Sequence, residues 1–131
     1  LTPAKTITPV LEARAVTRVF APRGGAPVKA LSAVSAVISA GELVVVAGPS
    51  GSGKTTLLHL LAAIDAPTSG EILIGGQATN GLSRAAKADL RLQRVGLLFS
   101  EHNLSPALTA AENVDLPLAL RGLTASERRQ R

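Results

Sequence analysis

Apolar and polar positions fall into short blocks along this chain rather than into one long period. Residues 11–20 (LEARAVTRVF) alternate imperfectly and end in a β-branched, aromatic stretch, which predicts a strand. Residues 21–29 (APRGGAPVK) form a turn-rich loop. In 30–40 (ALSAVSAVISA) the apolar pattern fits helix or strand, and the β-branched content with the following Gly41 favours a strand. Residues 42–48 (ELVVVAG) are a short continuous apolar run, the mark of a strand buried on both faces. Residues 55–64 (TTLLHLLAAI) have helix composition without a breaker, 65–70 a turn, and 71–76 (EILIGG) a short strand. After a polar loop over 77–83, Ser83 is a fair N-cap for a helix over 84–94. Residues 95–99 (VGLLF) are a second strand of the buried type, and 100–109 a loop. A helix over 110–120 carries Pro117 in its middle, where the missing N–H disturbs it. Thr124 and Glu127 have capping-box spacing and open a final helix. Strands alternating with helices predict an α/β fold, with the half-exposed early strands as a small antiparallel layer against a parallel main sheet. Residues 1–10 are a loose lead-in, and 11–131 belong to one domain.

Composition narrows the chemistry. The 131 residues suit one domain, and 46% hydrophobic with 18% charged residues excludes intrinsic disorder. No cysteine is present, which excludes disulfides and thiolate metal sites. Two histidines, His59 and His102, argue against a multi-histidine metal centre. No apolar run approaches the ~20 residues of a membrane span, and the first ten residues lack the order of a signal peptide. Two phenylalanines are the only aromatic residues, which argues against nucleic-acid modules that stack bases on aromatic platforms. The net charge of +5 permits an anionic partner, but the arginines are scattered apart from Arg128, Arg129 and Arg131, as on a solvated basic face. A chain with no methionine reads as trimmed or as part of something longer.

The informative segment is Gly48, Pro49, Ser50, Gly51, Ser52, Gly53, Lys54, Thr55, which fits G-x-x-x-x-G-K-[ST], the phosphate-binding P-loop. To wrap a polyphosphate, backbone N–H groups must point inward, at angles that glycine adopts cheaply. Gly48, Gly51 and Gly53 supply them, and Pro49 stiffens the entry. The expected donors are the N–H groups of Gly51, Ser52, Gly53, Lys54, Thr55 and Thr56; those from Gly53 onward lie at a helix start, which favours an anion. Lys54 sets a compact positive charge between β- and γ-phosphates, the Thr55 hydroxyl is a hard oxygen ligand for Mg²⁺, and Thr56 sits near the α-phosphate. A random chain of this length matches the pattern about once in 250. A merely structural glycine-rich turn is the alternative reading, and the position between a buried strand and a helix speaks against it.

Around the loop, the stretches KALSAVSAVISAGELVVVAGPSGSGKTTLLHLLAAIDAPTSGEILIGG, RVGLLFSEHNLSPALTAAENVDLPLALRG and TASERR cover most of the chain. From about Leu11 onward it resembles the first half of an ABC-type ATP-binding domain, nearest to the ATPases of lipoprotein release, macrolide export and cell division. The resemblance implies the ABC type of the P-loop NTPase fold: part of a core parallel sheet, a small antiparallel β layer, and a C-terminal half that is missing. It implies that Phe20 stacks on adenine where tyrosine is commoner, with Val28 packing near the base. It puts Ser100 where the family carries a glutamine that reaches toward Mg²⁺ and the attacking water; serine is too short for that reach and acts only through a bridging water. Glu101, His102 and Asn103 match the loop that faces the membrane partner, while His59 reads as packing.

The family's LSGGQ signature, acidic Mg²⁺-binding strand, general base and switch histidine are absent; Gly75, Gly76 and Gln77 echo the signature but follow a strand and read as a turn. The resemblance therefore implies an ATP hydrolase subunit that binds ATP and Mg²⁺, with this chain alone binding without turnover and tending to self-associate through uncovered sheet edges. Its implied partners are a second ATP-binding domain and a transmembrane permease at the inner face of the cell membrane; no nucleic acid is expected. The alternative is a nucleotide-gated assembly factor, in which ATP binding switches a protein interface with little turnover. A DNA-repair or chromosome ATPase, hinted at by the basic charge, fits the quoted stretches less well.

Overall fold

The structure, a computed structural model, describes residues 9–99 and 104–130. Most of the lead-in, residues 1–8, and the loop residues Ser100, Glu101, His102 and Asn103 lie outside that range. The chain forms two compact units, 1–87 and 88–131.

The first unit is built on an antiparallel sheet. Strand β1 (Pro9–Phe20) pairs with β2 (Val28–Ser39) on one side and β3 (Ser69–Ile74) on the other, and β4 (Gln77–Ala78) pairs with β3. The strand order is β2-β1-β3-β4. β1 starts at Pro9, inside the segment expected as lead-in, and Gln77–Ala78 belongs to a hairpin rather than a loop. Helix α1 (Lys54–Leu61) packs on β1, β2 and β3. The core lies between them: Val16, Leu60 and Ile72 are fully buried, with Ala13, Leu31, Leu61 and Ala63 around them. Each of the three large side chains contributes about 1.5–3 kcal/mol by leaving water.

The β1–β2 pair is irregular in its middle, where the register shifts between Ala13 and Val16. Two alanines take left-handed backbone angles there, Ala15 at φ 46 and Ala33 at φ 48. Their amides are removed from the ladder and satisfied across the hairpin in reciprocal fashion. Ala15 N–H donates to Ser35 Oγ at 2.9 Å, and Ala33 N–H donates to Thr17 Oγ1 at 3.0 Å. Two hydroxyls thus replace two backbone acceptors at the bulge. β3 begins against this bulge. Gly70 (φ 85) lies so close that a Cβ would strike the Ala15 carbonyl oxygen and stand 2.6 Å from that of Arg14.

Two expected strands are not in any ladder among the described residues: 42–48 in the first unit and 95–99 in the second. Leu43 and Val45 are 91% and 80% exposed, and Leu98 is 85% exposed. Among the described residues every ladder is antiparallel, and the segments expected as part of a parallel sheet stand outside these ladders. The physical reason is that a parallel strand draws its hydrogen bonds from neighbours distant in sequence, and a run that is apolar on both faces has no stable place without them.

Helix α2 (Arg84–Arg94) is capped as expected, Ser83 Oγ accepting from Ala86 N–H at 3.1 Å. In the second unit, α3 (Ala110–Leu120) runs through Pro117 without interruption. It is held at its start and at its middle instead. Thr109 and Glu112 form a full capping box, and Arg128 from α4 (Ala125–Arg129) binds both oxygens of Asp115 at 2.8 and 2.9 Å. α4 opens on the capping box expected at Thr124 and Glu127. Glu112 Oε2 accepts from the N–H and the hydroxyl of Thr109, both at 2.7 Å. The backbone bond first, then the hydroxyl, holds this carboxyl below its ordinary range.

Two predictions follow from these contacts. Ala15→Gly and Ala33→Gly each raise stability by about 0.5–1 kcal/mol, since both side chains are exposed and glycine relieves the left-handed backbone. Gly70→Ala lowers it by about 2 kcal/mol or more; urea denaturation of the three variants reads both signs. For Glu112, the folded-state depression means that its stabilisation of α3 is present above the unfolded carboxyl's pKa and is lost as pH falls through the lower folded one. Carbon NMR of the carboxyl reads that midpoint, and Thr109→Ala returns it toward the ordinary value.

Candidate functional site

Between the ribbon 42–47 and α1 the chain turns through the glycine-rich loop. Ser52 N–H donates to the Pro49 carbonyl at 3.3 Å, which closes a tight turn, and Gly51 (φ 77) and Gly53 (φ 89) carry the left-handed angles that turn the amides inward. Gly53 is the N-cap of α1 without a side-chain cap. Leu57 N–H is the first to find a helical acceptor, the Gly53 carbonyl at 2.8 Å. The N–H groups of Gly51, Gly53, Lys54, Thr55 and Thr56 have no acceptor among the described residues. That set coincides with five of the six donors the sequence names; Ser52 N–H is engaged within the turn. The loop can lie where it does because residue 53 has no side chain. A Cβ there would stand 2.5 Å from the Ala30 carbonyl oxygen and 3.0 Å from Leu31 Cδ2 on β2.

Lys54 folds back over the loop. Its Nζ donates to the carbonyl oxygens of Gly48 at 2.8 Å and Pro49 at 2.6 Å, and lies 3.3 Å from Ser52 Oγ. All three ammonium protons are thus used within the ring of the loop, and the positive charge is fixed beside the free amides. An open cleft of about 590 Å³ lies above them, lined by Ser50, Gly51, Ser52, Gly53, Lys54, Thr55 and Thr56 on one side and by Val28, Lys29 and Ala30 on the other. Positive charge, unsatisfied N–H groups and the positive end of the α1 dipole all face this space, and among the described residues no acidic side chain lines it. Its chemistry suits a polyanion.

The base-side residues fall beside it. Phe20 and Val28 are cross-strand partners at the loop end of the β1–β2 hairpin, flanking residues 21–27. Val28 rims the cleft, whereas Phe20 stands outside its lining. Both remain in water, at 41% and 58% exposure, so neither is a core residue. The ring of Phe20 has the Arg18 guanidinium over it, 4.6 Å from the ring centroid, and Arg18 in turn binds Asp65 at 2.7 Å. Sequence reasoning missed Lys29, Arg18 and Asp65. Lys29 was adjacent to a named residue, but nothing in sequence spacing links Arg18 to Asp65 across 47 positions. The position expected to serve the glutamine role, Ser100, lies outside the described residues.

The residues present fit a nucleoside triphosphate, because the free donors are amides and an ammonium in an open groove. For Mg²⁺, the Thr55 hydroxyl is a suitable hard oxygen on the cleft wall. Among the described residues no group of three His, Cys, Asp or Glu side chains could hold a metal ion by itself, so such an ion would depend on phosphate oxygens. No helix among the described residues is long and apolar enough to cross a membrane.

Comparison with known proteins agrees with this geometry. A family model described as ABC transporter matches residues 31–131. An uncharacterized ABC transporter ATP-binding protein of Thermotoga maritima is 44% identical over 108 residues, covering 82% of this chain and 46% of its own length. The dimeric structure of MJ0796, a bacterial ABC transporter cassette, superposes with a TM-score of 0.82 at 37% identity, covering 92% of this chain and 53% of that one. A dimeric post-hydrolysis state of the same cassette, bound to ADP and Pi, gives the same values. The chain thus spans about half the length of the relatives it matches. With the match running from Leu31 through the phosphate loop to Arg131, the chain belongs to the ABC transporter family of ATP-binding cassettes.

Proposed function

We propose that this chain forms the nucleotide-binding part of an ABC transporter ATPase and holds Mg-ATP in the cleft above its phosphate loop. The observation that carries the reading is the row of free amides at Gly51, Gly53, Lys54, Thr55 and Thr56, joined to the fixed ammonium of Lys54. The triphosphate lies along these amides. Lys54 exchanges its loop carbonyls for phosphate oxygens, a charge-assisted bond in place of a neutral one. Thr55 would offer its hydroxyl to Mg²⁺, which would supply charge neutralisation for the polyphosphate. The base stacks on the exposed ring of Phe20 beside Val28. A cassette of similar fold carries ADP and Pi, which supports a nucleotide in this groove.

In the complete protein, hydrolysis of the γ-phosphate drives a transmembrane permease from the cytoplasmic face of the membrane. Two cassettes pair, as the similar cassette does. Among the described residues the cleft lining offers cations and amides and neither a carboxylate nor an imidazole. In this reading the 131 residues by themselves bind without turnover. The exposed ribbons 43–46 and 97–99 suit strands whose sheet neighbours are supplied by further cassette residues. Ser100, at the glutamine position, favours a second reading in which nucleotide binding switches an interface and turnover is slight. ATPase activity of the complete protein with its membrane partner separates the two.

Removing the Lys54 ammonium deletes a charge-assisted contact, so Lys54→Ala weakens Mg-ATP binding by at least about tenfold in equilibrium titration. Unchanged affinity would refute the assignment. Gly53→Ala pushes the loop off the Ala30 carbonyl; it costs about 1–3 kcal/mol of stability and abolishes measurable ATP binding. Calorimetry of the variant with and without Mg-ATP reads both effects, and a ligand-induced shift in melting equal to that of the parent would contradict the role given to Gly53.

A further inference from the structure

Arg18 lies two residues before Phe20 on β1, and its side chain is committed on two sides. The guanidinium carbon stands 4.6 Å from the Phe20 ring centroid. Nη2 donates to Asp65 Oδ1 at 3.0 Å and forms an ion pair with Oδ2 at 2.7 Å, and the buried Nε has no acceptor among the described residues. Asp65 is itself fixed. Its N–H donates to the His59 carbonyl at 3.3 Å, in the last turns of α1, and its Oδ1 also accepts from Ala66 N–H at 2.7 Å. A continuous set of contacts therefore runs from the ring of Phe20 through Arg18 and Asp65 into α1, the helix whose first residues are Lys54, Thr55 and Thr56.

From this geometry we infer that Arg18 is the positioning residue of the base platform. The inference rests on the reading of Phe20 as the ring on which the nucleotide base stacks. The ring is held without being buried: a cation covers one face, and 41% of the residue stays open to solvent. Core packing would have hidden it. A partly buried guanidinium is poorly hydrated and attracts a π face more strongly than an exposed one does, so it fixes the ring plane at small entropic cost. The Asp65 contact then sets that plane relative to α1. Base and polyphosphate are thereby anchored to the same helix, one at its start through the free amides and the other at its end through Asp65 and Arg18. A nucleotide gains from both anchors only if their separation is preset, because any looseness between them must be removed on binding.

Affinity of the full chain for two probes tests this: a non-hydrolysable Mg-ATP analogue and Mg-tripolyphosphate, which has no base. Arg18→Ala is expected to weaken the analogue about 3- to 20-fold while tripolyphosphate changes by less than about twofold. Arg18→Lys keeps the charge but loses the planar stack, and should fall between. The double variant with Phe20→Ala should bind the analogue no more weakly than Phe20→Ala alone, since Arg18 acts through the ring. Additive losses in the double variant, or equal losses for both probes, would overturn the inference. So would a loss with Phe20→Ala and none with either Arg18 variant, which leaves the base platform standing. No loss with Phe20→Ala would remove the platform itself and the role of Arg18 with it. If Arg18→Ala melts before titration, Arg18→Lys supplies the same comparison.

Discussion

A single missing atom governs where the phosphate loop can lie. Residue 53 is pressed so closely on the Ala30 carbonyl that any Cβ would stand 2.5 Å from its oxygen. That approach brings the start of α1 close to the loop end of the β1–β2 hairpin, and it leaves the amides of Gly53, Lys54, Thr55 and Thr56 at the cleft with no acceptor among the described residues. Free helix-start donors cost stability unless something satisfies them, and water is the only alternative to an anion. Lys54 is held by the Gly48 and Pro49 carbonyls, so its charge adds to the same field. The other features of the site, the threonine hydroxyl and the apolar rim at Val28, depend on that contact between loop and strand.

The antiparallel sheet bears on function through its distortions as much as through its pairing. A regular β1–β2 ladder would need no left-handed alanines. Here Ala15 and Ala33 take that conformation on opposite strands of the bulge, and Ser35 and Thr17 accept hydrogen bonds from the two displaced amides. The strain remains because the compensating bonds are reciprocal and because Gly70 lets β3 approach the bulge. Beyond the bulge, Thr68 ties β1 again: its N–H donates to the Thr17 carbonyl at 2.8 Å, and its hydroxyl accepts from Val19 N–H at 3.0 Å. The last residues of β1, Arg18 to Phe20, are thus pinned on both sides before the chain enters its loop.

What the sequence made legible was local. The Ser83 cap and the capping box at Thr124 and Glu127 depend on neighbours within a few residues and formed as expected, the strands over 11–20 and 30–40 formed within two residues of their expected bounds, and five of the six named loop amides have no acceptor among the described residues. The exceptions depend on residues further away. The runs 42–48 and 95–99 have the composition of buried parallel strands, yet such strands exist only as members of a sheet, and the described residues give them no ladder. Pro117 breaks an isolated helix, but here the helix is clamped by a capping box at its start and by Arg128 on Asp115, and it continues. Both outcomes reflect tertiary contacts overriding a local rule.

The two ends of a nucleotide are therefore recognised by different kinds of information. Phosphate recognition uses backbone, so its requirements reduce to where glycine must stand and where the helix must begin, and a nine-residue window states them in full. Base recognition, as proposed for Phe20, uses one aromatic face, and a face has no meaning until its orientation is fixed. That orientation comes from an arginine on the same strand and an aspartate 47 residues further on, brought together only because α1 packs across β1. Phe20 alone is an ordinary exposed phenylalanine at the end of a strand. With Arg18 behind it and Asp65 behind Arg18, it becomes a surface at a defined place relative to Lys54, and that is the property a bidentate ligand selects.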